Sequence, residues 1–307
     1  MARHESFGGQ WSITKLQCVE NYLQAYLMVL QNQNWAELWY IDVFSGEGVQ
    51  YLKVRKHMNE QYEETSDAVT DDECVGQFTL GSSLRAIEVS IKRVKNGGRG
   101  FDHFVFIELN NDKLDALRYR INQDYPDYLE RCRFVCGDAN VELPKILKQI
   151  DWSTSRGVSF VDPFATEMTW ESLSSFKATC CDFWLLFPLH AIIRMLPTGD
   201  MPSKEWSRKL GLVFGNDDWR ELYSERKQLS LFQDGPSYER TQGVNKLLEY
   251  ATACYKKAFP GVWGPAVLRS RTNAPLFALY AIVPNGSGTA LGASGRIARH
   301  LISQIQS

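Results

Sequence analysis

Acidic side chains stand where successive hydrophobic segments of this chain end. Four acids share this position: Asp42, Glu108, Asp138 and Asp162. Carboxylates accept hydrogen bonds from hydroxyl and amino groups. If the segments are parallel strands, the acids line one edge of a sheet, and open α/β sheets bind their ligands beyond the carboxyl ends of the strands. The pattern therefore predicts a binding site for a ligand that carries hydroxyl and amino groups.

A turn with two glycines follows the first of these segments directly, in the stretch LWYIDVFSGEG that ends at Gly48. Glycine adopts backbone angles that other residues avoid, so an ordinary turn at a strand end is one interpretation. A loop whose backbone approaches a ligand is the other, and the set of four acids favours it. A single strand-end acid also has a structural interpretation, because Asp138 stands where it can cap a following helix.

The spacing of the glycines selects among ligands. A dinucleotide-binding loop needs G-x-G-x-x-G at the start of a helix, whereas the third glycine is missing here and Glu47 would repel a pyrophosphate. A ligand with ribose, adenine and an ammonium group but no phosphate fits better, and S-adenosylmethionine has these groups. We expect Glu108 to accept from both ribose hydroxyls, Asp138 from the adenine amine, and Asp42 to face the methionine part.

Alternating strands and helices are predicted around these acids. Buried strands are indicated for 37–44, 102–109, 131–138, 156–164 and 181–189, with helical patterns between them. Such alternation is typical of βαβ units and predicts a mostly parallel sheet with helices on both faces.

The remaining segments flank this sheet. Residues 15–31 have apolar side chains at helical spacing, and the polar, acidic residues 54–80 predict an inserted or mobile loop. Two last strands and a C-terminal helix close the chain. We expect one domain over residues 1–307, with these parts: an N-terminal helical segment 1–36, a cofactor-binding core 37–189, a mainly helical insertion 190–260, and final strands and helix 261–307.

Composition excludes several classes of function. The chain has 307 residues and a formal net charge of -2, so no overall basic field attracts nucleic acid, although local basic stretches leave that contact open. Its seven cysteines lack the spacing of a metal site and predict reduced thiols in a cytoplasmic protein without bound metal. No apolar run is long enough to cross a bilayer, so no membrane contact is expected.

The motifs occur in an order that resembles the three-Cys-motif partner protein family, which is similar in fold to class I methyltransferases. YIDVFSGEG resembles the first motif of amino-methyltransferases, GSSLRA resembles the family's G-S-P-L-R-A, and FVDPF resembles a shortened D-P-P-Y motif. The resemblance runs from about Trp11 to Pro188. It implies a Rossmann-like class I methyltransferase fold, S-adenosylmethionine as cofactor, and a protein partner that carries a three-cysteine motif.

Candidate site residues follow from the motifs and from the chemistry of methyl transfer. The cofactor-binding candidates are Asp42, Phe44, Ser45, Gly46, Gly48, Glu108, Leu109, Asp138 and Lys15. In the transfer site, Asp162 and the Pro163 carbonyl would accept hydrogen bonds from a nucleophilic amine, and Phe164 would stack on a flat substrate. The structural alternatives are a helix cap at Asp162 and a core position for Phe164.

Two classes of function remain at this point. The first is an S-adenosylmethionine-dependent methyltransferase that methylates nitrogen in a small molecule, a nucleobase or a substrate delivered by the partner. The second is a non-catalytic, methyltransferase-like binding subunit of a complex with that partner.

Overall fold

Hydrophobic runs separated by amphipathic helices build a central sheet in the computed structural model, which describes residues 10–56, 62–64, 74–225, 238–240, 243–270 and 272–306. The strands are β1 Glu37–Asp42, β2 Val49–Lys56, β3 Tyr62–Glu64, β4 Cys74–Leu80, β5 His103–Glu108, β6 Cys132–Cys136, β7 Ser155–Val161, β8 Cys181–Phe187, β9 Tyr223–Glu225, β10 Tyr238–Arg240, β11 Gly261–Arg269 and β12 Pro275–Val283. The α-helices are α1 Gln10–Val29, α2 Ser82–Lys95, α3 Asn111–Asp124, α4 Ala139–Gln149, α5 Trp170–Ser174, α6 Leu189–Met195, α7 Lys204–Phe214, α8 Val244–Ala258 and α9 Gly288–Gln306. Short 3-10 turns cover Pro126–Arg131, Ser175–Ala178 and Asp218–Leu222.

The large sheet has seven strands in the order β6-β5-β1-β7-β8-β12-β11. β1 is parallel to β5 and β7, and the parallel pairing continues to β6 and β8. β12 is antiparallel to both of its neighbours. This arrangement confirms the predicted Rossmann-like class I methyltransferase fold. The chain proceeds from β1 to one side of the sheet and from β7 to the other, so the topological switch point lies between β1 and β7, and open α/β sheets bind ligands at such points.

Two hydrophobic cores, one on each face, hold the sheet between helices. One core includes Leu143 of α4, Ile192 of α6 and Leu247 of α8, and the other includes Leu23 of α1 and Ala298 of α9. All seven residues of β8, CDFWLLF, are buried, because a strand covered on both faces has no polar side to present to water. The apolar run from Phe183 to Phe187 therefore reflects this double coverage.

Of the two alternatives for 54–80, the described residues fit an insertion between β1 and α2, whereas a loop is wrong, because they form strands of a separate small sheet. β2 pairs antiparallel with β4 from Val49↔Leu80 to Arg55↔Cys74, and β3 pairs with the other side of β2. This small sheet of three strands is held by backbone hydrogen bonds between distant segments. Such bonds do not require a hydrophobic pattern in either segment, which is why the polar sequence gave no signal of them.

Between β8 and β11, the described residues form α6, α7 and α8, as the predicted helical insertion requires. They also form a two-stranded antiparallel ladder of β9 and β10, which the sequence did not predict. The two last strands and the C-terminal helix occur where they were expected, and β11 pairs antiparallel with β12.

Candidate functional site

The carboxyl ends of four parallel strands meet at one edge of the sheet and carry the predicted acids there. Asp42 and Glu108 are the last residues of β1 and β5, Asp138 follows β6, and Asp162 follows β7 directly. Because β6, β5, β1 and β7 are neighbours in this order, the acids form one row. We call this side of the sheet the carboxyl edge.

Glu108 is fixed by the backbone of two turns. The Gly46 N–H donates to Glu108 Oε2 at 3.0 Å, and the Asn110 N–H donates to Oε1 at 2.9 Å. An ionised carboxylate offers about four acceptor positions, so the carboxylate keeps positions for further donors such as vicinal hydroxyls. The half-buried side chain is thus oriented before any ligand arrives.

The two glycines of the first turn have different roles. Gly46 has φ +60, and a Cβ added there would meet no atom within 4 Å, so the space beside the turn is open. Gly48 has φ +83, and its added Cβ would lie 2.6 Å from Leu117 Cδ1. Gly46 therefore borders a space that a ligand can enter, whereas Gly48 lets the turn pack against the helix that carries Leu117.

Asp42 lies beneath this turn and is fully buried. Its Oδ2 accepts from Ser83 Oγ at 2.9 Å and from the Tyr40 hydroxyl at 3.3 Å, while Oδ1 has no partner among the described residues. Burial raises the pKa of Asp42 to about 6, and the hydroxyls of Ser82 and Ser83 partly offset that rise. A buried oxygen without a partner is uncommon in proteins, and it fits a site where a ligand or water supplies the missing donor.

Three other cofactor-binding candidates follow the ends of β1 and β5. Phe44 is half-buried against the core. Ser45 is buried, and its N–H and Oγ both donate to the Ile107 carbonyl, at 2.9 and 3.2 Å. Leu109 is 71% exposed beside Glu108. Ser45 thus fixes the turn, and Leu109 offers an apolar surface at the rim of the edge.

Asp138 matches the structural alternative stated for it. Its Oδ1 accepts from the Asn140 N–H at 2.8 Å and caps the N-terminus of α4. Sequence reasoning missed Glu167, whose pKa is raised by burial and by the nearby charges of Asp138 and Glu108. Glu167 is held near Asp138 by Asn140, whose Nδ2 donates to the Glu167 carbonyl at 2.8 Å. No local sequence pattern indicates this hydrogen bond between residues 27 positions apart.

Asp162 forms an ion pair with Lys15 of α1. Lys15 Nζ donates to Asp162 Oδ2, and Lys15 is only 3% exposed. The ammonium also lies 4.9 Å from the centroid of the Trp11 ring. Lys15, one of the predicted cofactor-binding residues, therefore pairs with a protein carboxylate in this structure.

The alternative of a helix cap at Asp162 is wrong. Thr169 is the N-cap of α5, and its side chain accepts from the Ser172 N–H at 3.3 Å. A core position for Phe164 is also wrong, because Phe164 is 63% exposed, while Pro163 is buried. The segment after β7 therefore presents a carboxylate and an exposed aromatic ring together at the carboxyl edge.

No group of His, Cys, Asp and Glu in the described ranges is arranged to hold a metal ion. Within the same part of the chain, no helix has both the length and the apolar character needed to cross a membrane.

Comparisons with known proteins give similar structures and no similar sequence. No protein-family model and no curated protein matches the chain. A structure of protein LPL1258 from Legionella pneumophila is 15% identical, covers 78% of this chain and 91% of its own, and has a TM-score of 0.38. The methyltransferase domain of bacterial CtHen1 is 12% identical, with coverages of 87% and 98% and a TM-score of 0.35. Spermidine synthase from Thermotoga maritima is 10% identical, with coverages of 93% and 63% and a TM-score of 0.38. The strand order of the large sheet establishes the fold.

Proposed function

We propose that this chain is an S-adenosylmethionine-dependent methyltransferase that acts on nitrogen. The observation that carries this proposal is the open space beside Gly46, which is bordered by the oriented carboxylate of Glu108. This space lies at the carboxyl ends of β1 and β5, beside the switch point between β1 and β7. The acids around it suit a ligand that carries positive charge, hydroxyls and an amine rather than phosphates.

The residues present fit this cofactor. Glu108 has acceptor positions left for two ribose hydroxyls, since two backbone N–H groups already hold its orientation. The unpartnered Oδ1 of Asp42 can accept a further donor. When bound, S-adenosylmethionine would supply an activated methyl group on a sulfonium, and the protein would have to align the acceptor with that methyl and exclude water.

The acceptor would lie beside the segment after β7. Phe164 offers an exposed ring on which a flat substrate can stack. Asp162 gives one oxygen to Lys15, and the ion pair orients the other for a substrate amine. These features favour a flat, nitrogen-containing acceptor, which is a nucleobase or a small molecule, either free or delivered by a partner.

A binding subunit without transfer activity is the second candidate. The ion pair favours it, because Lys15 occupies an oxygen of the acid that would otherwise hold the nucleophilic amine. In this case the chain would keep the fold and the cofactor site and would serve a protein partner that carries a three-cysteine motif.

Cofactor binding tests the proposal. Titration calorimetry with S-adenosylmethionine should give saturable binding to the wild-type protein. Glu108→Ala should weaken that binding about tenfold to several hundredfold, because charge-assisted hydrogen bonds contribute about 1.5–3 kcal/mol each and less than additively. Asp112→Ala is the matched control, since it removes an exposed acid from the first turn of α3 with the same change in charge.

The outcomes separate the alternatives. Absence of binding to the folded wild-type protein contradicts both candidates, and equal affinity of the Glu108→Ala protein contradicts the assignment of Glu108. If binding is present, transfer of labelled methyl groups to nucleosides and small amines divides the enzyme from the binding subunit. The same assay with the partner added tests whether activity requires it.

A further inference from the structure

A second site candidate lies at the opposite edge of the sheet. A cavity of about 210 Å³ is enclosed by α1, α9 and the amino ends of β7 and β8. Arg156 and Asp182 line it, and each is the second residue of its strand. Since a strand rises about 3.3 Å per residue, seven-residue strands put this cavity roughly 20 Å from the carboxyl edge. The cavity is therefore separate from the proposed cofactor site.

The walls of the cavity are largely apolar. Val29 and Leu30 come from α1, Ala293 and Ile297 from α9, and Trp35 from the segment before β1. An apolar cavity of about 150 Å³ accepts a benzene molecule, whereas pockets for drug-sized ligands begin at about 300 Å³. The volume thus suits a branched or single-ring molecule.

Asp182 brings a buried carboxylate to this apolar space. It is 6% exposed, and its Oδ2 accepts from the Tyr22 hydroxyl and from Ser294 Oγ, both at 2.7 Å. Its Oδ1 makes no hydrogen bond to the described residues. An ionised carboxylate offers about four acceptor positions, so Asp182 keeps acceptor positions for a further donor. A donor from a ligand would complete the coordination of Asp182.

Arg156 brings a positive charge to the same cavity. Its Nη1 donates to the carbonyls of Trp152 and Ser155, at 3.1 and 2.6 Å, and its guanidinium lies 4.6 Å from the centroid of the Trp35 ring. These contacts fix the group, and Nε and Nη2 make no hydrogen bond to the described residues. Arg156 and Asp182 form no ion pair within the described chain, although the charge of Arg156 partly offsets the rise that burial causes in the pKa of Asp182, so the cavity holds two charges of opposite sign.

We propose that this cavity binds a small zwitterion with an apolar body, such as an apolar amino acid, with its ammonium at Asp182 and its carboxylate at Arg156. The hydrocarbon part would contact Val29, Leu30 and Ile297. A simple amine would leave Arg156 without a counter-charge, a simple acid would meet Asp182, and a hydrocarbon would satisfy neither group. A zwitterion complements both charges and the apolar walls at once.

Binding of leucine and of two analogues tests the arrangement. Calorimetry and thermal melts would compare L-leucine with 3-methylbutylamine, which lacks the carboxylate, and with 4-methylpentanoate, which lacks the ammonium. Leucine should raise the melting temperature and bind at least about tenfold more tightly than either analogue. If no apolar amino acid from valine to phenylalanine binds, the proposal is overturned, and equal affinity of 3-methylbutylamine overturns the assignment of Arg156.

Variants locate the binding. Ala293→Leu extends a side chain into the cavity at little cost to α9 and should abolish binding, whereas Arg296→Ala, on an exposed position of the same helix, should leave it unchanged. Asp182→Asn should weaken leucine binding about 10- to 100-fold. If Asp182→Asn does not fold, Ala293→Leu alone decides, and unchanged affinity in that variant shows that leucine binds elsewhere and overturns the proposal.

Discussion

Replacing Asp162 with asparagine tests the ion pair that fastens α1 to the carboxyl edge of the sheet. The substitution keeps the shape of the side chain and removes the charge that pairs with the Lys15 ammonium among the described residues. Lys15 is 3% exposed, so the ammonium would remain buried without a counter-ion. The expected result is a clear loss of stability in a protein that still folds.

The size of the loss follows from the surroundings of the pair. Breaking a fully buried pair from one side costs about 3–5 kcal/mol. The Asp162 side chain is 21% exposed, so water already screens part of the interaction, and the Trp11 ring near the ammonium compensates a further part of the lost attraction. We therefore expect Asp162→Asn to lower the free energy of unfolding by about 2–3 kcal/mol.

A double-mutant cycle supplies the control. Lys15→Met removes the buried ammonium and leaves a partly exposed carboxylate, so its loss should be smaller. The double variant Lys15→Met/Asp162→Asn contains no buried charge at this position and should be within about 1 kcal/mol of the wild type. Urea unfolding followed by tryptophan fluorescence measures all four proteins.

Two results would refute this reasoning. A loss below about 1 kcal/mol in Asp162→Asn would mean that the pair contributes little, as exposed pairs do. Additive losses in the double variant would mean that Lys15 and Asp162 act independently. Because asparagine replaces aspartate at helix caps with little loss, an unchanged stability is also what a cap would predict, although Thr169 caps α5 in this structure.

Two further predictions concern the turn and the buried acid at the opposite edge. Gly46→Val should abolish binding of S-adenosylmethionine in calorimetry, with a modest effect on the melting temperature. Gly48→Ala should lower the melting temperature, because its Cβ would lie 2.6 Å from Leu117 Cδ1. The opposite pattern would exchange the roles of the two glycines. Burial raises the pKa of Asp182 from 3.8 to about 6. Between about pH 4 and pH 6, the Asp182 carboxyl is therefore protonated in the folded protein and ionised in the unfolded chain. The free energy of unfolding accordingly falls as the pH rises through this range. Urea unfolding at each pH should show that Asp182→Asn removes about 3 kcal/mol of this fall, at about 1.4 kcal/mol per pKa unit, and an unchanged pH profile would mean that Asp182 is not protonated on folding.

Features carried by one segment or by strand order were predictable from the sequence. The apolar run from Phe183 to Phe187 in β8 indicated a strand buried on both faces. The acids of β1 and β5 were expected at one edge because parallel strands end on the same side. These inferences need only local periodicity and one topological rule.

Features that depend on distant partners were not predictable. Lys15 and Asp162 are 147 positions apart, and a single sequence gives no sign that a lysine on the first helix reaches the strand end after β7. The same limit explains why the ladder between β2 and β4 and the partner of Lys15 were not predicted. The residue types were informative, but their partners are set by how the helices pack onto the sheet.

The attachment of α1 at the opposite edge can be tested through two tyrosines one helical turn apart. The Tyr22 hydroxyl donates to the buried carboxylate of Asp182 at 2.7 Å, whereas the Tyr26 hydroxyl donates to the neutral carbonyl of Gly157 at 3.1 Å. Tyr22→Phe should lower the free energy of unfolding by about 1.5–3 kcal/mol at pH 8, where Asp182 is ionised, and by about 1 kcal/mol at pH 4, where it is protonated.

Tyr26→Phe is the matched control, because it removes the same hydroxyl from the same helix. Its loss should be about 1 kcal/mol at both pH values, since a bond to a neutral acceptor does not titrate. Urea unfolding of both variants at the two pH values measures the difference. Equal losses for Tyr22→Phe at pH 4 and pH 8 would mean that the Tyr22 bond is not made to an ionisable group. In that event Asp182 would not be the charge that anchors α1 to β8, and the raised pKa would need another cause than the enclosure of this carboxylate by α1 and α9.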